Sequence, residues 1–292
     1  MHAFIFRKVL DVFYLKTKLI HHINELKNSG NSIGFVPTMG ALHQGHLSLI
    51  ETALKHTDLV VVSIFVNPTQ FDNQQDLLKY PRTLEADLEL LKSLNDKKIM
   101  VYAPLTEDIY DDNITSETFH FAGLEHEMEG AFRSGHFDGV GTIVKRLFEI
   151  VQPDFAFFGE KDYQQLQIVR KLVEQHSLPV KIVGCPIYRH ADGLAMSSRN
   201  KRLSKEHREA APFIYKTLKD VREQFGIKSA KEITEWVKKQ FEIQPLLELE
   251  YFVIADSKTL KPIKRKSRQK AYRAFIAVYA SDIRLIDNIA LN

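Results

Sequence analysis

Five short apolar runs, separated by stretches in which apolar residues recur at helical spacing, constrain the fold of this chain more than any other feature. Ile33 to Val36, Leu59 to Val66, Lys98 to Tyr102, Asp154 to Phe158 and Val180 to Gly184 are too brief and too uniformly apolar for a half-exposed antiparallel ribbon. They predict strands of a parallel sheet buried on both faces. Between them, Leu47/Ile50/Leu54, Leu84/Leu88/Leu91, Ile143/Leu147/Ile150 and Leu166/Val169/Val173 supply crossover helices. A further helix from about Val12 to Lys27 precedes the first strand and stops at Asn28, Ser29 and Gly30, residues suited to a helix end.

After about residue 186 the pattern changes. Two helices, near Lys205 to Phe225 and Ala230 to Phe241, lead into strands of period two. Leu247, Leu249, Tyr251 and Val253 alternate with Glu248, Glu250 and Phe252, and Tyr272, Ala274, Ile276 and Val278 repeat the alternation. The expected architecture is therefore α/β: a doubly wound, Rossmann-like parallel sheet over residues 1–186 and a smaller C-terminal α+β domain over residues 187–292. Lys258 to Lys270 holds seven Lys or Arg between the two strands and is expected as a solvated hairpin loop, with phosphate or nucleic-acid binding as the rival reading.

Charge and cysteine content narrow the function. Forty Lys plus Arg against thirty-seven Asp plus Glu leave a formal charge of only +3, so no nucleic-acid or membrane partner is called for and a small-molecule partner is expected. Leu59 to Val66, the longest apolar run, falls far short of the roughly 20 residues of a membrane-spanning helix. Arg7, Lys8 and Asp11 interrupt what would have to be the apolar region of a secretion signal. The single cysteine, Cys185, lies between Gly184 and Pro186 after an apolar run and is expected to be a buried thiol, in keeping with a reducing cytoplasm.

Four segments carry chemistry. PTMGALHQGH, Pro37 to His46, joins the first apolar run to the helix through Leu47, Ile50 and Leu54. It thus occupies the carboxyl edge of a strand, where a helix N-terminus offers N–H groups and a positive dipole to phosphate. His43 and His46 are three residues apart, so they face the same way if both lie in the first turn. Gly40 and Gly45 allow close backbone approach to a ligand. The imidazole pair can donate to a triphosphate as charge builds at an attacked phosphorus. A zinc site and a pair of structural histidines are the rival readings.

FVNPTQF, Phe65 to Phe71, places the amides Asn67 and Gln70 at the next carboxyl edge, as substrate ligands or, for Asn67 and Pro68, as a simple turn. FFGEKDYQQL, Phe157 to Leu166, offers Lys161 for phosphate charge, Asp162 as helix cap or ribose contact, and Gln165 one turn further on. DGLAMSSRN, Asp192 to Asn200, clusters Ser197, Ser198 and Arg199 in what reads as a mobile loop able to close over phosphates, or else an ordinary turn.

Together with YPRTLEAD, these segments follow one another in the order and at about the spacing of the pantoate–β-alanine ligases, a family of the HxGH nucleotidylyltransferase superfamily, from about residue 12 onward. In this resemblance His43 and His46 correspond to HxGH, and Ala195 to Arg199 to the KMSKS-like loop, with Ala195 where the superfamily often has lysine and Lys161 supplying that cation. The resemblance implies an ATP-dependent ligase that joins (R)-pantoate to β-alanine through pantoyl adenylate, releasing pyrophosphate and then AMP. It implies catalytic roles for His46, His43, Lys161 and Arg199. ATP contacts are implied for Met39, Gly40, Ala41, Leu42, His43, Gln44, Gly45 and His46, for Gly159, Glu160, Lys161 and Asp162, and for Tyr188, Met196, Ser197, Ser198 and Arg199. Gln70, Gln165 and Asn67 would hold substrate, Asp87 would help position Mg2+, and the second domain would act as a lid. A cytoplasmic homodimer is implied as well. Tyr188 replaces a small β-branched residue common in the family, and the first ten or so residues receive no role.

Three other readings stand beside it. A nucleotidyltransferase whose product keeps the nucleotide would not need the paired amides Gln70 and Gln165. A fragment of an aminoacyl-tRNA synthetase conflicts with the small net charge and the lack of a separate RNA-binding segment. A non-catalytic nucleotide-binding module would not retain the charged loop residues.

Overall fold

The computed structural model describes residues 10–71, 74–95, 97–111 and 113–292, so the readings of residues 1–9 lie outside the described residues. The chain forms two compact units. The first comprises the chain up to Phe119 with Ser134–Phe158 and Val169–Cys185, and the second comprises His120–Arg133, Gly159–Ile168 and Pro186–Asn292.

In order, the elements are β1 (Asp11–Phe13), α1 (Lys16–Asn28), β2 (Ile33–Thr38), α2 (Gln44–His56), β3 (Leu59–Ile64), α3 (Gln74–Lys79), α4 (Leu84–Asn95), β4 (Ile99–Tyr102) and α5 (Thr106–Tyr110). Next come α6 (Met128–Phe132), α7 (His136–Val151), β5 (Phe155–Gly159), α8 (Tyr163–Gln175) and β6 (Lys181–Cys185). The remainder is α9 (Lys205–Ala210), α10 (Phe213–Phe225), α11 (Ala230–Glu242), β7 (Glu248–Asp256), β8 (Tyr272–Ala280) and β9 (Ile283–Ala290).

The first unit is built on a six-stranded sheet of order β1-β4-β3-β2-β5-β6, parallel at each pairing whose register is described. The alternation of strand residues assigns its two faces. Val36, Val60, Val62 and Val101 pack with Leu47 and Ile50 of α2 and Leu91 of α4, whereas Phe35 meets Phe148 of α7 on the other face. Both faces are thus covered, which is why the strand sequences are apolar throughout rather than alternating. Winding proceeds from β2 outward through β3 to β4 on one side and begins again at β5 on the other. The loop leaving β2 therefore occupies the topological switch point, the position at which open α/β sheets bind ligands. Cys185 is a buried thiol at the end of β6, as expected.

One element departs from the sequence reading here. The first helix begins at Lys16 rather than near Val12, because Asp11–Phe13 forms an edge strand paired with Met100–Tyr102 of β4. The helix does stop as expected, with Ser29 at its cap and Gly30 at φ +84°.

The second unit carries a three-stranded antiparallel sheet, β7-β8-β9. Leu218, Val221 and Phe225 of α10 and Ile233, Val237 and Phe241 of α11 pack with Tyr272, Ala274, Ile276 and Val278 of β8 in one apolar core. The helix expected over Lys205 to Phe225 is interrupted: Pro212 lacks the N–H that would continue α9, and its carbonyl instead accepts from Lys216 of α10. The alternation expected in β7 also changes phase. A register shift between Leu249 and Tyr251 turns Phe252 and Ile254 toward the core, in place of Tyr251 and Val253. Residues 257–271 form the expected, largely exposed connection to β8. Among the described residues no helix is long and apolar enough to cross a membrane.

Candidate active site

The loop from β2 to α2 is held open by an unusual backbone. Gly40 and Ala41 take φ of +81° and +50°, and for Ala41 this left-handed conformation costs about 1–2 kcal/mol. The loop is tied down on two sides. Gly40 N–H donates to Thr38 Oγ1 (3.1 Å), whose hydroxyl donates to Ser63 O (2.7 Å). Ala41 and Leu42 N–H donate to the Asp87 carboxylate at 2.9 and 2.7 Å.

His43 is the N-cap of α2, and its Nδ1 accepts from Gly45 N–H at 3.1 Å. That bond places the neutral ring's proton on Nε2. His46 lies one turn on, and the rings stack with centroids 4.0 Å apart and planes inclined by 24°. The expectation that the two imidazoles face the same way is met. Among the described residues no group of three His, Cys, Asp or Glu side chains could hold a metal ion, so the zinc alternative for this pair finds no further ligands.

Asp87, expected beside Mg2+, is only 2% exposed. Each of its oxygens accepts a main-chain N–H, and Thr83 Oγ1 lies 3.3 Å from both. Mg2+ demands octahedral coordination with retained waters, and a carboxylate so enclosed and so engaged does not fit as its ligand.

The 3-10 turn Pro68–Gln70 follows β3. Asn67, 1% exposed, spends its whole hydrogen-bonding capacity inside the protein. Its Nδ2 donates to Gln70 Oε1 and to Gly139 O, both at 3.2 Å, and its Oδ1 accepts from the hydroxyls of Thr69 and Tyr110. Asn67 is thus the brace of the turn that presents Gln70. Burial raises the Tyr110 hydroxyl above its usual pKa, keeping it a donor. Gln70 Nε2 donates to Met39 Sδ (3.1 Å), linking this turn to the loop after β2, and Gln70 O is bonded to His136 Nδ1 (2.9 Å).

The turn rests on α7 at Gly139. A Cβ there would lie 2.3 Å from Thr69 O and 2.7 Å from Gln70 Cα, both backbone atoms that cannot rotate away. Gly139→Ala is therefore expected to destabilise the protein by about 1–3 kcal/mol through overpacking, read as a lowered urea midpoint with unchanged slope.

The remaining expected residues belong to the second unit. Glu160–Asp162 forms a 3-10 turn before α8, with Lys161 Nζ 3.6 Å from Asp162 Oδ1. Its position is set from β8 and β9. Asn288 Nδ2 donates to the carbonyls of Glu160 (2.9 Å) and Lys161 (2.8 Å), while Arg273 pairs with the Glu160 carboxylate at 3.0 Å and lies over the Tyr163 ring. Gln165 is half-buried in the first turn of α8. Its neighbour Gln164 is buried and holds residues 120–133 by bonds to the carbonyls of Leu124 and Glu127 and from Glu129 N–H.

DGLAMSSRN contains a hydrogen-bonded turn, in keeping with the second expectation for it. Ser197 caps the 3-10 turn Ser198–Arg202 in a box with Asn200, accepting from Arg199 N–H while Asn200 Oδ1 accepts from Ser197 N–H at 2.6 Å. Ala195 is buried and bridges Arg189, and Met196 N–H donates to Tyr188 O at 3.0 Å, leaving the Tyr188 side chain exposed. Arg189 in turn holds Asp287 through two contacts, 2.6 and 2.9 Å.

Thr38, Thr83, His136, Arg273 and Asn288 were not singled out from the sequence. Thr38, His136 and Asn288 bond main-chain carbonyls distant in sequence, while Thr83 and Arg273 brace the carboxylates of Asp87 and Glu160, and no local pattern marks such partners.

The pantoate-beta-alanine ligase family model matches residues 11–290. A pantothenate synthetase of Christiangramia forsetii is 58% identical over 283 residues, covering 97% of this chain and 100% of that protein. One from Flavobacterium psychrophilum is 58% identical over 98% of this chain and 99% of its own length. Among solved structures, a pantothenate synthetase from Thermus thermophilus superposes with a TM-score of 0.89 at 38% identity, covering 97% of this chain and 99% of that one. The pantoate-beta-alanine ligase from Francisella tularensis, complexed with beta-gamma ATP and beta-alanine, gives 0.80 at 35% identity over 97% and 98%.

Proposed function

Since this chain belongs to the pantoate–β-alanine ligase family and catalyses the ATP-dependent joining of pantoate to β-alanine, we propose that it does so through pantoyl adenylate, with the stacked histidines at the head of α2 as its phosphate donors. A pantoate carboxylate oxygen attacks the α-phosphorus of ATP. The bond from that phosphorus to the bridging oxygen breaks and pyrophosphate leaves. The amine of β-alanine then attacks the acyl carbon, the acyl–oxygen bond breaks, AMP departs and the nitrogen loses its proton. Neither step needs a covalent enzyme intermediate. The chain's task is to orient the reactants and to stabilise the negative charge passing to the leaving group.

One observation carries this reading: His43, its Nδ1 occupied by Gly45 N–H, can serve the phosphates only through Nε2–H, and His46 is stacked on it. In the first unit, Met39 to His46 are assigned to ATP, and Gln70, braced by Asn67, to pantoate. In the second, Gly159 to Asp162, Tyr188 and Met196 to Arg199 are assigned to ATP and Gln165 to pantoate, with Lys161 and Arg199 as the cations that offset phosphate charge. ATP enters as its magnesium complex. By resemblance alone, the reading extends to a lid role for residues 187–292 and to a cytoplasmic homodimer.

The test is ATP–pyrophosphate exchange without β-alanine. Exchange that requires pantoate is expected. If it is absent, addition of β-alanine with assay for AMP separates an enzyme that needs both substrates bound from one whose acid substrate is another.

A further inference from the structure

We infer that Asp87 is a positioning residue of the reaction, clamping the nucleotide loop through the main-chain N–H groups of Ala41 and Leu42 rather than ligating magnesium. The inference rests on the assignment of Met39 to His46 to ATP. The observations behind it are geometric. Each carboxylate oxygen accepts one of these N–H groups, at 2.9 and 2.7 Å. The group is 2% exposed, at the start of α4, where its own N–H donates to Thr83 O at 2.9 Å and the Thr83 hydroxyl lies against both oxygens.

One of the two clamped residues has a backbone in the left-handed region. Ala41 is a non-glycine residue at φ +50°, and Gly40 before it, at +81°, runs so close to Asp87 that a Cβ would meet Oδ2 at 3.1 Å and Ile64 at 3.0 Å. Without the carboxylate, two buried N–H donors lose their acceptor, and Ala41 loses the bond that holds it in its left-handed conformation. His43 follows immediately, so the clamp holds the backbone that leads into the residue whose ring is bonded to Gly45 N–H. A charged acceptor is called for because it makes both bonds charge-assisted; an amide offers one oxygen and turns its NH2 toward the other N–H.

The experiment compares wild-type enzyme with Asp87→Asn and Thr83→Val. Pantoate-dependent exchange is followed against magnesium concentration, and AMP binding is measured calorimetrically in EDTA. For Asp87→Asn the exchange rate is expected to fall about 30-fold, with the half-saturating magnesium concentration unchanged and no recovery in excess magnesium. AMP is expected to bind about 10-fold more weakly without any metal present.

A rate restored by excess magnesium, with AMP binding intact, would show Asp87 to be a metal ligand and overturn the inference. Unchanged rate and unchanged AMP binding would overturn it equally. Should Asp87→Asn not fold, Thr83→Val decides, since it removes only the hydroxyl contacts: about threefold in rate at constant magnesium dependence supports the clamp, and no change refutes it. Wild-type enzyme that neither exchanges with pantoate nor binds AMP would instead defeat the ligase mechanism itself.

Discussion

His46→Ala is expected to slow pantoate-dependent adenylation by about two to three orders of magnitude, the range seen when one preorganised transition-state donor is removed. His46 sits in the first turn of α2, its ring held by stacking on His43 at 4.0 Å, and His43 is itself fixed by the Gly45 bond. A donor so constrained needs no reorganisation when the α-phosphorus is attacked, which is the condition under which a single hydrogen bond acts mainly on the rate. The substitution should therefore lower kcat and kcat/KM together, with KM for ATP little changed. Stability should fall only by about 0.5–1.5 kcal/mol, the worth of an aromatic pair. Exchange kinetics at saturating ATP provide the measurement, and a rate near that of the wild type would remove His46 from the mechanism.

Arg284→Met is expected to destabilise the second unit by about 3–5 kcal/mol at neutral pH, because it strands a buried carboxylate. The Arg284 guanidinium donates to Glu129 at 2.6 and 2.8 Å and to Glu250 at 2.7 Å, and Tyr251 OH donates to Glu129 at 2.7 Å. Burial by itself would raise the Glu129 carboxyl; the hydrogen bonds and charge of Arg284, with the Tyr251 hydroxyl, outweigh it and hold the group below its usual range. In the wild type this stabilisation is therefore complete above the ordinary carboxyl pKa of about 4.5 and is lost as pH falls through the depressed folded value. In the variant the sign reverses. Burial goes uncompensated, folded Glu129 takes up a proton more readily than the unfolded chain, and the deficit should shrink on going from pH 7.5 toward pH 5. Trp236, the single tryptophan, packs against the core of this unit, so its fluorescence during urea unfolding follows the relevant transition. A deficit that grows toward low pH would contradict the assignment.

The legible parts of the fold are those set by local pattern. Five strands of the parallel sheet and the helices between them appear where their apolar periodicity puts them, since a strand covered on both faces must be apolar at every position. Asp11–Phe13 was not legible as a strand: three residues carry no period, and Val12 and Phe13 run directly into the apolar spacing of α1. The pairing with β4 alone defines it. The bulge in β7 escaped because a phase change leaves each half alternating correctly by itself. At the site, the motif residues could be named, but not whether each faces a ligand or supports one that does. Asn67 and Asp87 are polar groups at a strand edge and a helix start in the sequence, and only their partners, Gly139 and Ala41 with Leu42, distinguish brace from contact.

The hold that Asn288 keeps on the carbonyls of Glu160 and Lys161 joins residues as much as 128 positions apart. During synthesis at about 5–20 residues per second, the Lys161 turn waits on the order of 6–25 seconds for the strand that fixes it. Over that interval β6, the whole of the antiparallel sheet and the helices that cover it are still to be made, and the Lys161 turn has no partner from β9. The turn that bears Lys161 is thus secured late in the life of each new molecule, and a chain cut short before Asn288 lacks both of the bonds that set it.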